Sequence, residues 1–144
     1  MHFLILFLLN FTTMETTPAP MAASGIRITI HSLRNDEGTV LLSMFKSADG
    51  YPGKNEKAVR QAKGKVKGGT CEIILENVPA GTYAISILHD ENNNGKMDTK
   101  AFGIPKEGYG ASNDAKATFG PPSFADAKFE HQQETPLRIK MRYF

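Results

Sequence analysis

Cysteine is almost missing from this chain of 144 residues, since Cys71 stands alone. No internal disulfide can form, and with no cysteine near the expected processing site an acylated-cysteine membrane anchor is not expected. A membrane-spanning run is missing as well. The apolar stretch Phe3-Leu4-Ile5-Leu6-Phe7-Leu8-Leu9 falls far short of the roughly 20 residues that cross a bilayer as a helix. Lys and Arg form no dense run, so the chain lacks the stripe that tracks nucleic-acid phosphates, and no nucleic-acid partner is expected. There is no Gly-x-Ser-x-Gly elbow, no Walker A loop and no Cys-His pairing at a recognisable spacing. The chain is therefore not expected to be an enzyme.

What is present divides the chain unequally. The apolar run followed by a Thr/Pro/Ala-rich stretch has the pattern of a signal peptide and linker over residues 1–24, which implies a secreted or periplasmic protein. Residues 25–144 are long enough to bury the core of one domain. Loss of residues 1–24 takes only Glu15 from the 15 acids and none of the 17 bases, leaving 14 acids and a mild net charge of +3. If exported, such a domain is held by packing, with an ion as the available extra fastener.

From Gly25 onward the dominant period is two. Ile26, Ile28 and Ile30 share one face of a strand, Val40, Leu42 and Met44 one face of the next, and the turn Asn35-Asp36-Glu37-Gly38 between them predicts a hairpin. A weaker strand over 58–66 is expected to form a second hairpin with 70–75 across Lys67-Gly68-Gly69. The turn Asn77-Val78-Pro79-Ala80-Gly81 delivers Tyr83 to Leu88, a mostly apolar strand suited to the middle of a sheet. In the last strand Leu137, Ile139, Met141 and Tyr143 alternate with Arg138, Lys140 and Arg142. This pattern predicts an all-β fold, a single antiparallel β-sandwich of about seven strands. One long Gly/Pro/aromatic loop over 99–123 lacks the period-two pattern.

The central strand runs into His89-Asp90-Glu91-Asn92-Asn93-Asn94-Gly95-Lys96-Met97-Asp98. Asp90, Asn92 and Asn94 occupy positions 1, 3 and 5 of a calcium loop, Gly95 the sharp turn at 6, the Lys96 carbonyl position 7 and Asp98 position 9. Position 12, which in an EF-hand is a bidentate Glu, is Ala101. Two readings stay open. In one, the loop binds a calcium-type ion through Asp90, Asn92, Asn94, Lys96 and Asp98, with Glu107 folding back to supply the missing carboxylate. In the other, Asn94-Gly95 makes a type I′ hairpin turn with no ion.

Phe102, Tyr109 and Phe119 punctuate the long loop, either as plugs that pin it to the sandwich or, with Glu107, as a surface for a glycan or an envelope protein. A reading from a different class takes His89, Glu107 and Asp126 as the acid-base groups of a small hydrolase or lyase, which requires the three to converge.

The turn Asn77-Val78-Pro79-Ala80-Gly81-Thr82-Tyr83-Ala84, the Asp90 loop, the run Phe102-Gly103-Ile104-Pro105-Lys106-Glu107-Gly108-Tyr109-Gly110 and the segment Phe119-Gly120-Pro121-Pro122-Ser123-Phe124 together resemble the bacterial secreted domain of unknown function 2141. The resemblance covers nearly everything from Ile26 onward. It implies a small exported β domain and carries over no catalytic residues. At fold level the chain is also similar to immunoglobulin-like and transthyretin-like sandwiches and to the Cna-B-like modules of surface proteins.

Overall fold

The computed structural model describes residues 24–144. The expected signal peptide lies outside the described residues, and so does its linker except for Ser24, which already belongs to the first strand. Eight strands follow in chain order: β1 (Ser24–His31), β2 (Thr39–Phe45), β3 (Arg60–Gly64), β4 (Cys71–Val78), β5 (Gly81–Asp90), β6 (Gly108–Ala111), β7 (Phe129–His131) and β8 (Thr135–Lys140). A short α-helix, α1 (Phe124–Ala127), is capped by the Ser123 hydroxyl, which accepts from the Asp126 amide. One sheet has the order β4-β1-β8. The other runs β3-β2-β5-β6, with β7 pairing the start of β5.

The alternation read in the sequence sets the core. Ile26, Ile28 and Ile30 of β1, Val40, Leu42 and Met44 of β2, Ile85 and Ile87 of β5, and Ile139 of β8 are buried between the sheets. Cys71 lies in the same layer and acts as a small apolar residue, with burial pushing its thiol pKa up. β5 is central in its sheet, as its apolar sequence predicts, pairing β2 from Phe45↔Ala84 to Thr39↔Asp90 and β6 from Ser86↔Ala111 to His89↔Gly108.

The first predicted hairpin does not form, and of the second only the turn does, closed by the Lys67↔Thr70 bridge without pairing of its flanking strands. β1 pairs β4 and β8, whereas β2 pairs β3 and β5, so the connections β1–β2 and β3–β4 both pass from one sheet to the other. The turn residues that suggested hairpins tie these two crossings together. Asp36 accepts the Gly68 and Gly69 amides (2.9 and 3.0 Å), which hold its carboxyl below the usual carboxylate range, and the Leu33 amide donates to the Gly69 carbonyl (3.1 Å). The sandwich is not wholly antiparallel either, since β1 and β8 run parallel from Ile26↔Thr135 to His31↔Lys140.

The predicted long loop contains β6. Its sequence Gly-Tyr-Gly-Ala has no strand signature, but the alternate glycines are needed for close approach. A Cβ at Gly110 would come within 2.8 Å of Ile139 Cγ2 and 3.0 Å of Met141 Sδ, and one at Gly108 would collide with the Tyr143 ring. Those contacts, with the paired hydrogen bonds between Tyr109 and Arg142 (3.0 and 2.8 Å), lock β6 to the segment after β8.

The two faces of the first sheet differ enough to test. Ile28 is fully buried, while Ile74 on the outer face of β4 is 50% exposed. Ile28→Ala is expected to cost about 2–5 kcal/mol, and Ile74→Ala about 0.5 kcal/mol or less, in urea unfolding. Equal losses would contradict the assigned register.

Candidate functional site

Asp90 ends β5 and is buried where that strand meets Thr39. Its carboxylate takes the amides of Asn94 (3.1 Å) and Gly95 (2.8 Å), drawing the chain into a tight coil. Asn92 Oδ1 accepts from the Asn94 amide (3.3 Å) and Asn94 Oδ1 from the Lys96 amide (3.1 Å), two successive Asx turns. Across the coil, Asp98 accepts from the side-chain amide of Asn92 (2.8 Å) and from that of Asn94 (2.7 Å). Asp90, Asn92, Asn94, Lys96 and Asp98 are thus brought into one small loop. It is not a type I′ hairpin: that turn needs positive φ at both central residues, and positive φ falls on Asn93 (57°) and Gly95 (80°), not on Asn94.

Glu107 folds back onto this loop. Only 4% exposed, it accepts the Glu91 amide on Oε1 (3.0 Å) and the Asp98 amide on Oε2 (3.1 Å). The Lys106 amide adds a bond to the Asp98 carbonyl (2.8 Å). Residues 91–107 therefore form one stapled unit rather than two loose loops. Among the described residues, no three His, Cys, Asp or Glu side chains stand close enough together to form a metal-binding group. Any cation in the coil would rely on amide and carbonyl oxygens as well as carboxylates, the donor chemistry of weak calcium loops.

Beside the staple, Glu91 pairs with Arg34 and accepts from Asn35 Nδ2 (2.7 Å). Burial alone would raise the Glu91 pKa, but the hydrogen bonds from Arg34 and Asn35 outweigh it and leave the carboxyl below its ordinary value. The Arg34 guanidinium also lies 4.6 Å from the Tyr143 ring centroid. His89 is fully buried. Its Nε2–H donates to the Glu37 carbonyl (2.7 Å), and Nδ1 is hydrogen-bonded with the Tyr143 hydroxyl (2.8 Å). Both His89 nitrogens are therefore engaged in joining the end of β5 to the β1–β2 connection and the last residues. Asp126 sits on α1, and no hydrogen bond joins it to His89 or Glu107.

The far side of the 91–107 unit faces something else. The outer face of the second sheet presents Leu41, Ser43, Ser86, Leu88, Tyr109 and Ala111 as the floor of a cleft of about 860 Å³. Met97, Phe102 and Ile104 wall it on one side, and Phe119, Pro121 and Pro122 contribute further lining. Phe102 is 100% exposed and Phe119 92%, so both are rim residues rather than plugs, whereas Tyr109 lies half-buried on the floor, stacked on Phe144 (5.7 Å, 9°). Phe102 holds its exposure from a left-handed backbone (φ 62°, ψ 23°), a conformation unfavourable for a bulky residue. Tyr51 closes one end, wedged edge-on between Phe45 and Phe124 (5.4 and 5.9 Å), and burial pushes its hydroxyl pKa up to about 12. Of the residues expected to touch a ligand, Phe102, Tyr109 and Phe119 line this cleft. Glu107 does not; it belongs to the staple behind the wall.

Sequence reasoning missed the floor apart from Tyr109. Leu41 and Leu88 are apolar residues on the polar-side phase of their strands, and that departure from strict alternation was the available signal.

A family model described as an uncharacterized protein conserved in bacteria, DUF2141, matches residues 28–139. No curated protein and no solved structure matches the chain.

Removal of the Glu107 carboxylate strands two backbone donors. Glu107→Ala is expected to destabilise the domain by about 1–3 kcal/mol and to speed hydrogen exchange at the Glu91 and Asp98 amides more than in the core of β1. Unchanged exchange at both amides would show that the staple does not hold the loop.

Proposed function

The chain belongs to the DUF2141 family of uncharacterised bacterial proteins, and we propose that it is an exported, non-catalytic binding module whose ligand lies in the cleft over the outer face of the second sheet. The observation that carries this reading is the division of labour in one segment. On one side residues 91–107 are stapled to themselves through Asp90, Asp98 and Glu107, and on the other Met97, Phe102 and Ile104 wall an apolar cleft. Its volume of about 860 Å³ falls in the range of roughly 300–1,000 Å³ that small-molecule sites occupy. The apolar run Phe3–Leu9 supports export, and the fold uses no disulfide. The engagement of both His89 nitrogens and the placement of Asp126 on a separate element weigh against a hydrolase built on His89, Glu107 and Asp126.

A calcium-type ion fits this module as a fastener of its wall. The oxygens of Asp90, Asn92, Asn94 and Asp98 and the Lys96 carbonyl are the donors it would use, and Glu107 already holds the loop that would surround it. With two carboxylates in the coil, affinity is expected near the extracellular range of about 10⁻⁴ M. At about 1 mM calcium, mass action then adds roughly 1.4 kcal/mol to stability.

Two experiments test these readings. A neutral apolar dye such as N-phenyl-1-naphthylamine is expected to brighten on binding the full chain and to lose most of that signal when Phe102→Ser and Phe119→Ser are combined. Absence of binding, or binding indifferent to both changes, would dispose of the cleft reading. For the ion, the melting temperature is expected to rise by a few degrees from EDTA to millimolar calcium, to change little with magnesium, and to lose the calcium response in Asp98→Asn. Identical melts in EDTA and calcium would leave the coil as a hydrogen-bonded turn.

A further inference from the structure

The lining of the cleft says more about its ligand than its volume does. The two serine hydroxyls of the floor, unlike that of Tyr109, are turned to protein acceptors: Ser43 Oγ donates to Asn55 Oδ1 (3.0 Å) and Ser86 Oγ to the Pro52 carbonyl (3.0 Å). Neither has its proton to offer a ligand, and around them the surface is carbon from Leu41, Leu88, Met97 and Ile104. A sugar needs a dense set of side-chain donors and acceptors to replace its water, and this floor withholds them.

Charge is distributed unevenly around the same cleft. No Asp or Glu lines it, and Lys96 is its one lining residue of a charged type. Among the described residues Lys96 takes part in none of the ion pairs. The acids nearest in sequence are engaged elsewhere: Asp98 accepts from Asn92 and Asn94, Glu91 pairs with Arg34, and Asp90 accepts from the Asn94 and Gly95 amides. Lys116 stands over a smaller recess with Ala117 and Thr118, two residues that also line the cleft. The strained backbone of Phe102 is a separate pointer: a left-handed conformation that holds a fully exposed phenyl ring at the rim costs on the order of 1 kcal/mol and buries nothing in the free protein.

Resting on the cleft reading above, we infer that the ligand is a single-chain anionic amphiphile, with its hydrocarbon chain along Leu41 and Leu88 between Phe102 and Phe119 and its carboxylate or phosphate head at Lys96. Hydrocarbon needs no hydrogen bonds from the floor, and burying it against these side chains contributes roughly 0.8 kcal/mol per methylene. The ammonium at the rim meets the head group while leaving it partly in water, so neither charge is stranded. The same chemistry is offered by a free fatty acid and by an alkyl phosphate of lipid origin.

The test displaces the neutral dye from the full-length protein with decanoate, decyl phosphate, decanol, decyltrimethylammonium and a soluble oligosaccharide, each below its micelle concentration. Decanoate or decyl phosphate is expected to act at roughly tenfold lower concentration than decanol, the equivalent of one charge-assisted contact. Whichever of the two acts lower identifies the head group. Lys96→Gln is expected to erase that preference, and Lys96→Arg to keep it. Displacement by decanol or decyltrimethylammonium at the same concentration as the anions, or an anion preference that survives Lys96→Gln, would overturn the inference and leave the cleft standing. Displacement by the oligosaccharide alone would overturn it in favour of a glycan. Failure of the dye to bind at all would remove the cleft reading itself.

Discussion

Two backbone amides on one buried carboxylate hold the 91–107 segment of this molecule in place. Glu107 accepts from Glu91 at the start of a long connection and from Asp98 in its middle. Without that bridge, residues 91–107 would be a wide excursion between two strands that are already neighbours, with the entropy of an open loop. With it, the excursion becomes a plate with two sides. One side is polar and closed on itself by Asx turns. The other is apolar and stands over the second sheet, so the geometry of the cleft depends on a hydrogen-bond pair that never touches its contents.

The flanking network reinforces this plate from below. Arg34 and Asn35 bind Glu91, the Arg34 guanidinium lies against Tyr143, and Tyr143 meets His89. These contacts join the β1–β2 connection, the end of β5 and the last residues of the chain at the base of the plate. His89 beside two acids looked like chemistry in the sequence. In the fold it is a buried tie between a carbonyl and a phenol, and its environment is structural.

How much of this was legible beforehand depended on the range over which each signal acts. Alternation acts locally and identified β1, β2 and β8 with their inward faces, because burial of isoleucine and leucine on one side is what stabilises a strand at a sandwich core, while β5 stood out only as a mostly apolar run. Turn chemistry acts locally too, but Asn35-Asp36-Glu37-Gly38 bends the chain equally well within a sheet or between sheets. The pairing of β1 with β4 and β8 rests on contacts far away in sequence, and no local residue announces it. β6 was hidden because its glycines answer to Tyr143, Ile139 and Met141, not to strand propensity. The residues of the Asp90 coil were visible, but its turn was not the type I′ turn that Asn94-Gly95 suggested. The cleft was visible only through its aromatics, since Leu41 and Leu88 point outward against the rule that outward residues are polar, and only the fold shows what stands over them.

The parallel pairing of β1 with β8 also sets a schedule. β1, the first strand of the domain, occupies the middle of its sheet, and one of its two edges is satisfied by the last strand, more than a hundred positions later in the chain. During synthesis, the strands of the second sheet from β2 to β5 can pair as they emerge, whereas β1 keeps an unsatisfied row of amides and carbonyls until residues 135–140 have been made. The nascent chain thus carries an open strand edge, a ready template for wrong pairing, until its last strand is made.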